Sequence, residues 1–331
     1  MDDSYQLANK KEKNFRILGI NAALISAFFL GLAPIFGKQA IEMGTSPFAV
    51  VALRTLFATV LLFLVMFIFQ RKYLYIYPAG LIGCLLAGAI NGIGSLFYYS
   101  ALGKIDAGLG QMLYLLYPFF VAFWMFLDRH PISKITIARL VIAIPAVILL
   151  VRTGESTSSD MWLGIGMMLM ASALYALHLP INQRVLYDIP APTVTLYTLL
   201  AMSVIVVPAF LFSGQLNQVT TMGGAWWPVL ALTLVTFFSR LTLFTGVKHL
   251  GGLQTALLGL SELLVTLLLS QIWLKESLIW TQWVGAGLLI LSMLLITFEK
   301  PQPKTLQPGG WLGWLSSPTG ISPSDMWQPR D

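Results

Sequence analysis

Three charged residues, Arg54, Arg240 and Glu262, stand inside stretches that are otherwise apolar for many residues on either side. A charge placed in lipid costs about 2.5–3.5 kcal/mol on insertion scales, so such residues turn toward a partner, a cavity or the interface. Arg54 lies seven residues beyond Pro47, roughly 10 Å along a helix. Its neighbours Leu53, Thr55, Leu56 and Phe57 offer no shield from lipid, so Arg54 is expected to face the interior. Gln111, Tyr114 and Tyr117 enter a later apolar run from the same side and reach a comparable depth. Pro118 frees the Tyr114 carbonyl from its helical hydrogen bond. A guanidinium flanked by amide and phenol groups would hold an anionic group such as a carboxylate. The same arginine bonded to helix carbonyls, or snorkelling outward, would be structural, and the sequence leaves both readings open.

Arg240 precedes the Lys248 to Gly252 turn by about as many residues as Glu262 follows it, so a hairpin brings them to similar depth and predicts an ion pair. Protonation of Glu262, or competition for Arg240 by a substrate carboxylate, would open that pair and link proton to substrate binding. A permanent clasp is the alternative. Asn91, Tyr98, Tyr175 and His178, with Asn21, Ser95, Tyr99 and Asn182, add hydrogen-bonding capacity, most of it expected to join helices. His178 is either a proton relay or a packing residue. Arg139, a few residues into its run, is expected to snorkel. The candidate substrate-binding set is thus Arg54, Asn91, Tyr98, Gln111, Tyr114, Tyr117, Tyr175, His178, Arg240 and Glu262, with Glu262 the residue for proton coupling.

The elements that carry these residues follow from composition. The 331-residue chain is 57% hydrophobic and 10% charged, more apolar surface than soluble cores of this length bury. The apolar residues come in runs of roughly 20, the length of helix that crosses a 30 Å hydrocarbon layer. Runs such as Thr59 to Phe69, apolar nearly throughout, exclude the alternating strands of a membrane barrel. Spans are expected near 17–37, 47–69, 78–102, 107–127, 132–151, 161–183, 191–213, 225–247, 251–274 and 278–298. The first of these, running from Ile17 to Phe36 without a charge, reads as a spanning helix and not a cleaved signal. Both termini are expected in the cytoplasm, because that orientation places thirteen of the 20 basic residues inside and only Lys38, Lys104, Arg152 and Lys275 outside. The location is then an integral, multi-pass protein of the plasma (inner) membrane. Residues 1–16 form an N-terminal cytoplasmic segment, and 299–331, rich in Pro, Gly and Ser, a disordered tail.

The two halves match at a shift of 145 to 146. Ser26, Ala27, Pro34 and Lys38 meet Ser172, Ala173, Pro180 and Arg184, and Pro47 meets Pro192. The hairpin FYYSALGKIDAGLGQMLYLLYPFF meets LFTGVKHLGGLQTALLGLSELL in pattern. Five spans in each half make the repeats, 17–151 and 161–298 about a 152–160 connection, enter the membrane from opposite sides. An inverted pair brackets a midplane site that either half can close, the basis of alternating access. The expected fold is an all-α integral membrane protein of ten transmembrane helices in two inverted five-helix repeats. The Gly88, Gly92 and Gly94 cluster would let helices pack closely.

These segments, SAFFLGLAPIFGKQAI, LRTLFA at Leu53 to Ala58, the first hairpin, and LLVTLLLSQIWLKESLIWTQWVGAGLLI with Glu276, resemble the EamA-like branch of the drug/metabolite transporter superfamily over residues 17–298. The resemblance implies efflux or exchange of amino acids, other small metabolites or drugs. His130 and Pro131 depart from it, standing where such repeats commonly carry an acidic residue, as does Arg240 deep in a span.

Other functions fit less well. Ser261 next to Glu262 suggests an intramembrane hydrolase, yet no histidine follows it, and His130, His178 and His249 lack metal-ligand spacing. A channel would show a filter or a ring of like charge. The lone Cys84 allows no intrachain disulfide, and the dispersed net charge of +6 does not suggest nucleic acid. The expected partners are a small-molecule substrate, the bilayer and protons, with no cofactor or metal; the oligomeric state is not written in the sequence.

Overall fold

The computed structural model describes residues 2–128, 132–151, 159–186, 189–215, 223–275 and 279–295, and among these every regular element is helical. His130, Pro131, Glu276, the side chain of Arg139 and the 299–331 tail lie outside the described residues. In chain order the helices are α1 (Asp2–Glu42), α2 (Pro47–Phe69), α3 (Pro78–Leu102), α4 (Ala107–Tyr114), α5 (Tyr117–Leu127), α6 (Lys134–Val151), α7 (Ser159–Leu186), α8 (Ala191–Phe212), α9 (Trp226–Leu250), α10 (Gly252–Gly259), α11 (Glu262–Trp273) and α12 (Trp280–Leu294). Proline opens several of them, where its missing N–H costs nothing. Ser46 caps α2 by accepting from the Ala49 N–H at 3.2 Å, with Pro47 behind it. Helix α1 begins well before the apolar run, because Gln6, Leu7, Ala8 and the lysines beyond them are good helix formers that need no lipid.

Among the described residues, eight stretches are long and apolar enough to cross a membrane, with α4–α5 and α10–α11 each forming one of them. The shorter α6 and α12 pack against each other. Large apolar side chains such as Phe28, Val60, Phe63, Phe126, Val204 and Leu234 are exposed on the outer faces, where only lipid can solvate them.

The packing has a two-fold pattern. Helix α1 packs on α9 and its repeat mate α7 packs on α3; α1 also packs on α11 as α7 does on α5; α3 meets α8 as α9 meets α2. Gly88 permits the α3–α8 approach, since a Cβ there would overlap the Thr198 carbonyl and lie 2.6 Å from Ala201 Cβ. Gly92 continues this seam against Ile205, and Gly94 lets α3 approach α7 at Leu174.

The matched residues Lys38 and Arg184 end up at opposite ends of α4–α5. Lys38 Nζ donates to the Leu102 and Ile105 carbonyls at 3.0 Å each, closing the turn before α4. Arg184 Nε and Nη2 donate to Asp128 Oδ2 at 3.1 and 2.8 Å, at the far end of α5. Helices α1 and α7 therefore run in opposite directions. The same sides are joined by Lys104 with Asp160 and Trp273 with Gln39 at one end, and by Lys248 with the Ile189 carbonyl at the other.

Candidate functional site

Two helices break at repeat-equivalent places. A shift of 145 carries α4 onto α10 end for end and sets Tyr117, first residue of α5, on Glu262, first residue of α11. At the first break Leu116 N–H bonds the Leu113 carbonyl and Phe119 N–H that of Leu116; at the second, Ser261, Leu263 and Leu264 bond three residues back in the same way. Both are short turns of tighter helix within a longer one. Pro118 accounts for the first break, and the Tyr114 carbonyl it frees accepts from Ser172 Oγ at 2.9 Å. No proline lies at the second. Gly259 is required there because a Cβ would overlap the Tyr117 hydroxyl, which donates to the Ala256 carbonyl at 2.9 Å.

Between the breaks lies a cavity of about 40 Å³, room on the order of three waters. Its walls come from both repeats: Leu30 and Ala33 of α1, Arg54 of α2, Asn91, Gly94, Ser95, Tyr98 and Tyr99 of α3, Gln111 and Tyr114 of α4, Ala171 and Tyr175 of α7, Arg240 of α9 and Glu262 of α11. Eight of the ten residues expected from the sequence thus line one space. Tyr117 and His178 stand behind it. The Tyr117 ring lies 5.0 Å from that of Tyr175 and 5.7 Å from that of Tyr114. His178 is fully buried under Tyr175, ring centroids 4.6 Å apart, its Nδ1 on the Tyr175 carbonyl and its Nε2 without a hydrogen-bond partner among the described residues.

Both arginines are 5% exposed and both are solvated by neutral groups. Arg54 Nη1 donates to Thr236 Oγ1 at 2.9 Å and Nη2 to Ser95 Oγ at 3.4 Å, with its guanidinium carbon 4.7 Å from the centre of the Tyr99 ring. Its Nε has no hydrogen-bond partner among the described residues. Arg240 lies over the Tyr175 ring at 5.6 Å and donates from Nη1 and Nη2, at 3.3 and 3.1 Å, to the Asn91 amide oxygen in the orientation that satisfies both side chains.

The expected Arg240–Glu262 ion pair is not formed. The described ion pairs are Lys104–Asp160 and Arg184–Asp128, and Arg240 has turned to Asn91 instead. Glu262, 1% exposed, faces Gln111, whose Oε1 accepts from the Tyr98 hydroxyl at 3.0 Å. Its own Oε1 is left without a hydrogen-bond partner among the described residues. Equal depth in a hairpin does not fix the rotation of either helix, and rotation decides which side chains touch.

Ser261 is turned away from such chemistry, its Oγ donating to the Leu258 carbonyl at 2.9 Å. Asn21 is exposed on α1. Asn182 takes up the expected joining role, donating to the His178 carbonyl and accepting from Thr198. Thr236, four residues before Arg240 on the same helical face, is a site residue that sequence alone does not mark. Leu30, Ala33, Gly94 and Ala171 are likewise unmarked, since their apolar types carry no signal.

No curated protein matches the chain. A protein of known crystal structure has the same fold, with a TM-score of 0.62 at 16% identity, covering 86% of this chain and 97% of its own. The chain belongs to the EamA-like transporter family, whose sequence profile matches residues 17–152 and 162–298, one match to each repeat.

Proposed function

We propose that the chain is a secondary transporter, an exporter or exchanger of small metabolites such as amino acids or amphipathic drugs, working by alternating access. The observation that carries this reading is the buried, charged cavity held between the breaks of two repeat-equivalent helices. The reading takes α6 and α12 as membrane spans beside the other eight, giving ten in two inverted repeats with both termini cytoplasmic in the plasma (inner) membrane. Five spans per repeat place the second half upside down relative to the first, and the opposed directions of α1 and α7 support this.

A cavity the size of a few waters is a closed form of the site, and a metabolite enters when one half moves and the breaks widen it. Arg54 and Arg240 hold the anionic part of the substrate, Tyr98, Tyr114 and Tyr175 its body, with Asn91 and Gln111 as hydrogen-bond partners. Tyr117 and His178 act from behind by positioning Tyr114 and Tyr175. Glu262 is the proton-coupling residue, as the single carboxylate lining the cavity among the described residues and the bearer of an unmatched oxygen; Arg240, Tyr98, Tyr114 and Tyr175 line the same cavity, with Tyr117 behind it.

The test is uptake and counterflow in proteoliposomes with a panel of labelled amino acids, other small metabolites and cationic drugs, for wild type and Glu262→Gln at two pH values. Movement of a labelled solute, with pH dependence lost in the variant, is the expected result. A folded protein that moves nothing in the panel would refute the transporter reading, and currents of millions of ions per second would replace it with a channel.

A further inference from the structure

The charges around the cavity do not balance. Its described walls carry two cations, Arg54 and Arg240, and one anion, Glu262, a formal excess of one positive charge with every group ionised. Both guanidiniums line the same small space. Among the described residues neither has a carboxylate within ion-pair distance: Arg54 rests on two hydroxyls and Arg240 on an amide. Neutral dipoles solvate a buried cation incompletely, and a low-dielectric site with surplus charge binds its complement strongly.

Two atoms mark what the complement needs. Arg54 Nε is a buried donor without an acceptor, and Glu262 Oε1 a buried acceptor without a donor. An acidic group satisfies the first and an ammonium the second.

We propose that the preferred substrate is a small amino dicarboxylate of net charge −1, its two acidic groups shared between Arg54 and Arg240 and its ammonium held at Glu262. This assignment rests on the transporter reading given above and adds the charge class of what is carried. A neutral zwitterion would leave the site with its surplus positive charge, and a plain monocarboxylate would leave Glu262 without a donor. A cationic amino acid would add to the surplus.

The experiment is counterflow into proteoliposomes loaded with L-glutamate or L-aspartate, compared with L-alanine, propionate and L-lysine, alongside equilibrium binding of the same labelled compounds to the purified wild-type protein. The amino dicarboxylates should bind and exchange about tenfold better than L-alanine, the ratio for 1.4 kcal/mol of selectivity, with propionate between them and L-lysine last. Arg240→Gln, which removes one positive charge, should shift the preference about tenfold toward L-alanine, and Arg54→Gln should do the same. The wild-type binding series needs neither variant to fold. L-alanine or L-lysine handled as well as L-glutamate would overturn the charge assignment and leave the transporter reading standing. Binding and exchange of none of the five, while other solutes in the wider panel move, would also overturn it; a protein inert to every solute would remove both.

Discussion

The hydroxyl of Tyr117 donates to the carbonyl of Ala256 at 2.9 Å, so a side chain at the break of one repeat satisfies the backbone at the break of the other. The reverse connection runs from Ser172 of the second repeat to the Tyr114 carbonyl of the first. Each interrupted helix leaves a carbonyl that lipid cannot solvate, and each is answered across the interface between the halves. Widening one break therefore costs a bond made by the other half.

Gly259 and Tyr117 should be energetically coupled. Tyr117→Phe is expected to cost about 1 kcal/mol through the lost hydrogen bond, and Gly259→Ala about 1–3 kcal/mol through the overlap of its Cβ with the Tyr117 hydroxyl. The double variant, which removes the oxygen that the Cβ meets, should fall short of the sum by at least about 0.5 kcal/mol. Thermal unfolding of the purified variants in detergent measures all three, and simple additivity would contradict the contact.

Arg184 and Asp128 form a pair that is 4% and 1% exposed at the side chain. Arg184→Met removes the cation from this buried pair and should cost about 3–5 kcal/mol, enough to abolish recovery of monodisperse protein. Arg184→Met with Asp128→Asn should restore much of it, because both members of the pair become neutral together. Size-exclusion profiles of fluorescently tagged variants give the answer, and a mild effect of the single change would show that the pair contributes little to stability.

The seam between α3 and α8 depends on the absence of a side chain at Gly88. Gly88→Val should drive the helices apart against the Thr198 carbonyl and lower stability by about 1–3 kcal/mol, whereas Gly166→Val, with open space around its Cα, should be near neutral. Melting temperatures of the two variants compare directly, and equal effects would argue against the close approach.

Ser261→Ala should leave both transport and stability close to wild type, since among the described residues the hydroxyl bonds only the Leu258 carbonyl of its own turn. Proteoliposome exchange and an ester-hydrolysis assay on the same preparations test this. Turnover that disappears with Ser261 would point to an enzyme.

The span limits at Pro47, Phe69, Pro78, Leu102, Ala107, Leu127 and Ala191 could be read from the chain almost to the residue, because polar punctuation and proline act locally on the backbone. The two-fold arrangement was legible in matched pairs such as Ser26 with Ser172. The break at Tyr114–Tyr117 was announced by Pro118. Its mate at Gly259–Glu262 was not, since it lacks a proline and is set by a hydroxyl arriving from another helix.

The candidate site divides in the same way. That Arg54, Arg240 and Glu262 turn inward follows from the cost of a charge in lipid, a property of residue type and depth alone. That Arg240 meets Asn91 instead of Glu262, that Thr236 and Ser95 receive Arg54, and that Tyr117 and His178 stand behind the cavity wall could be decided only by how the helices are rotated and packed. By itself the sequence determined which residues must leave the lipid and how far along each helix they sit. The tertiary structure decided which of them meet, because rotation about a helix axis is set by the shapes of neighbours distant in the chain.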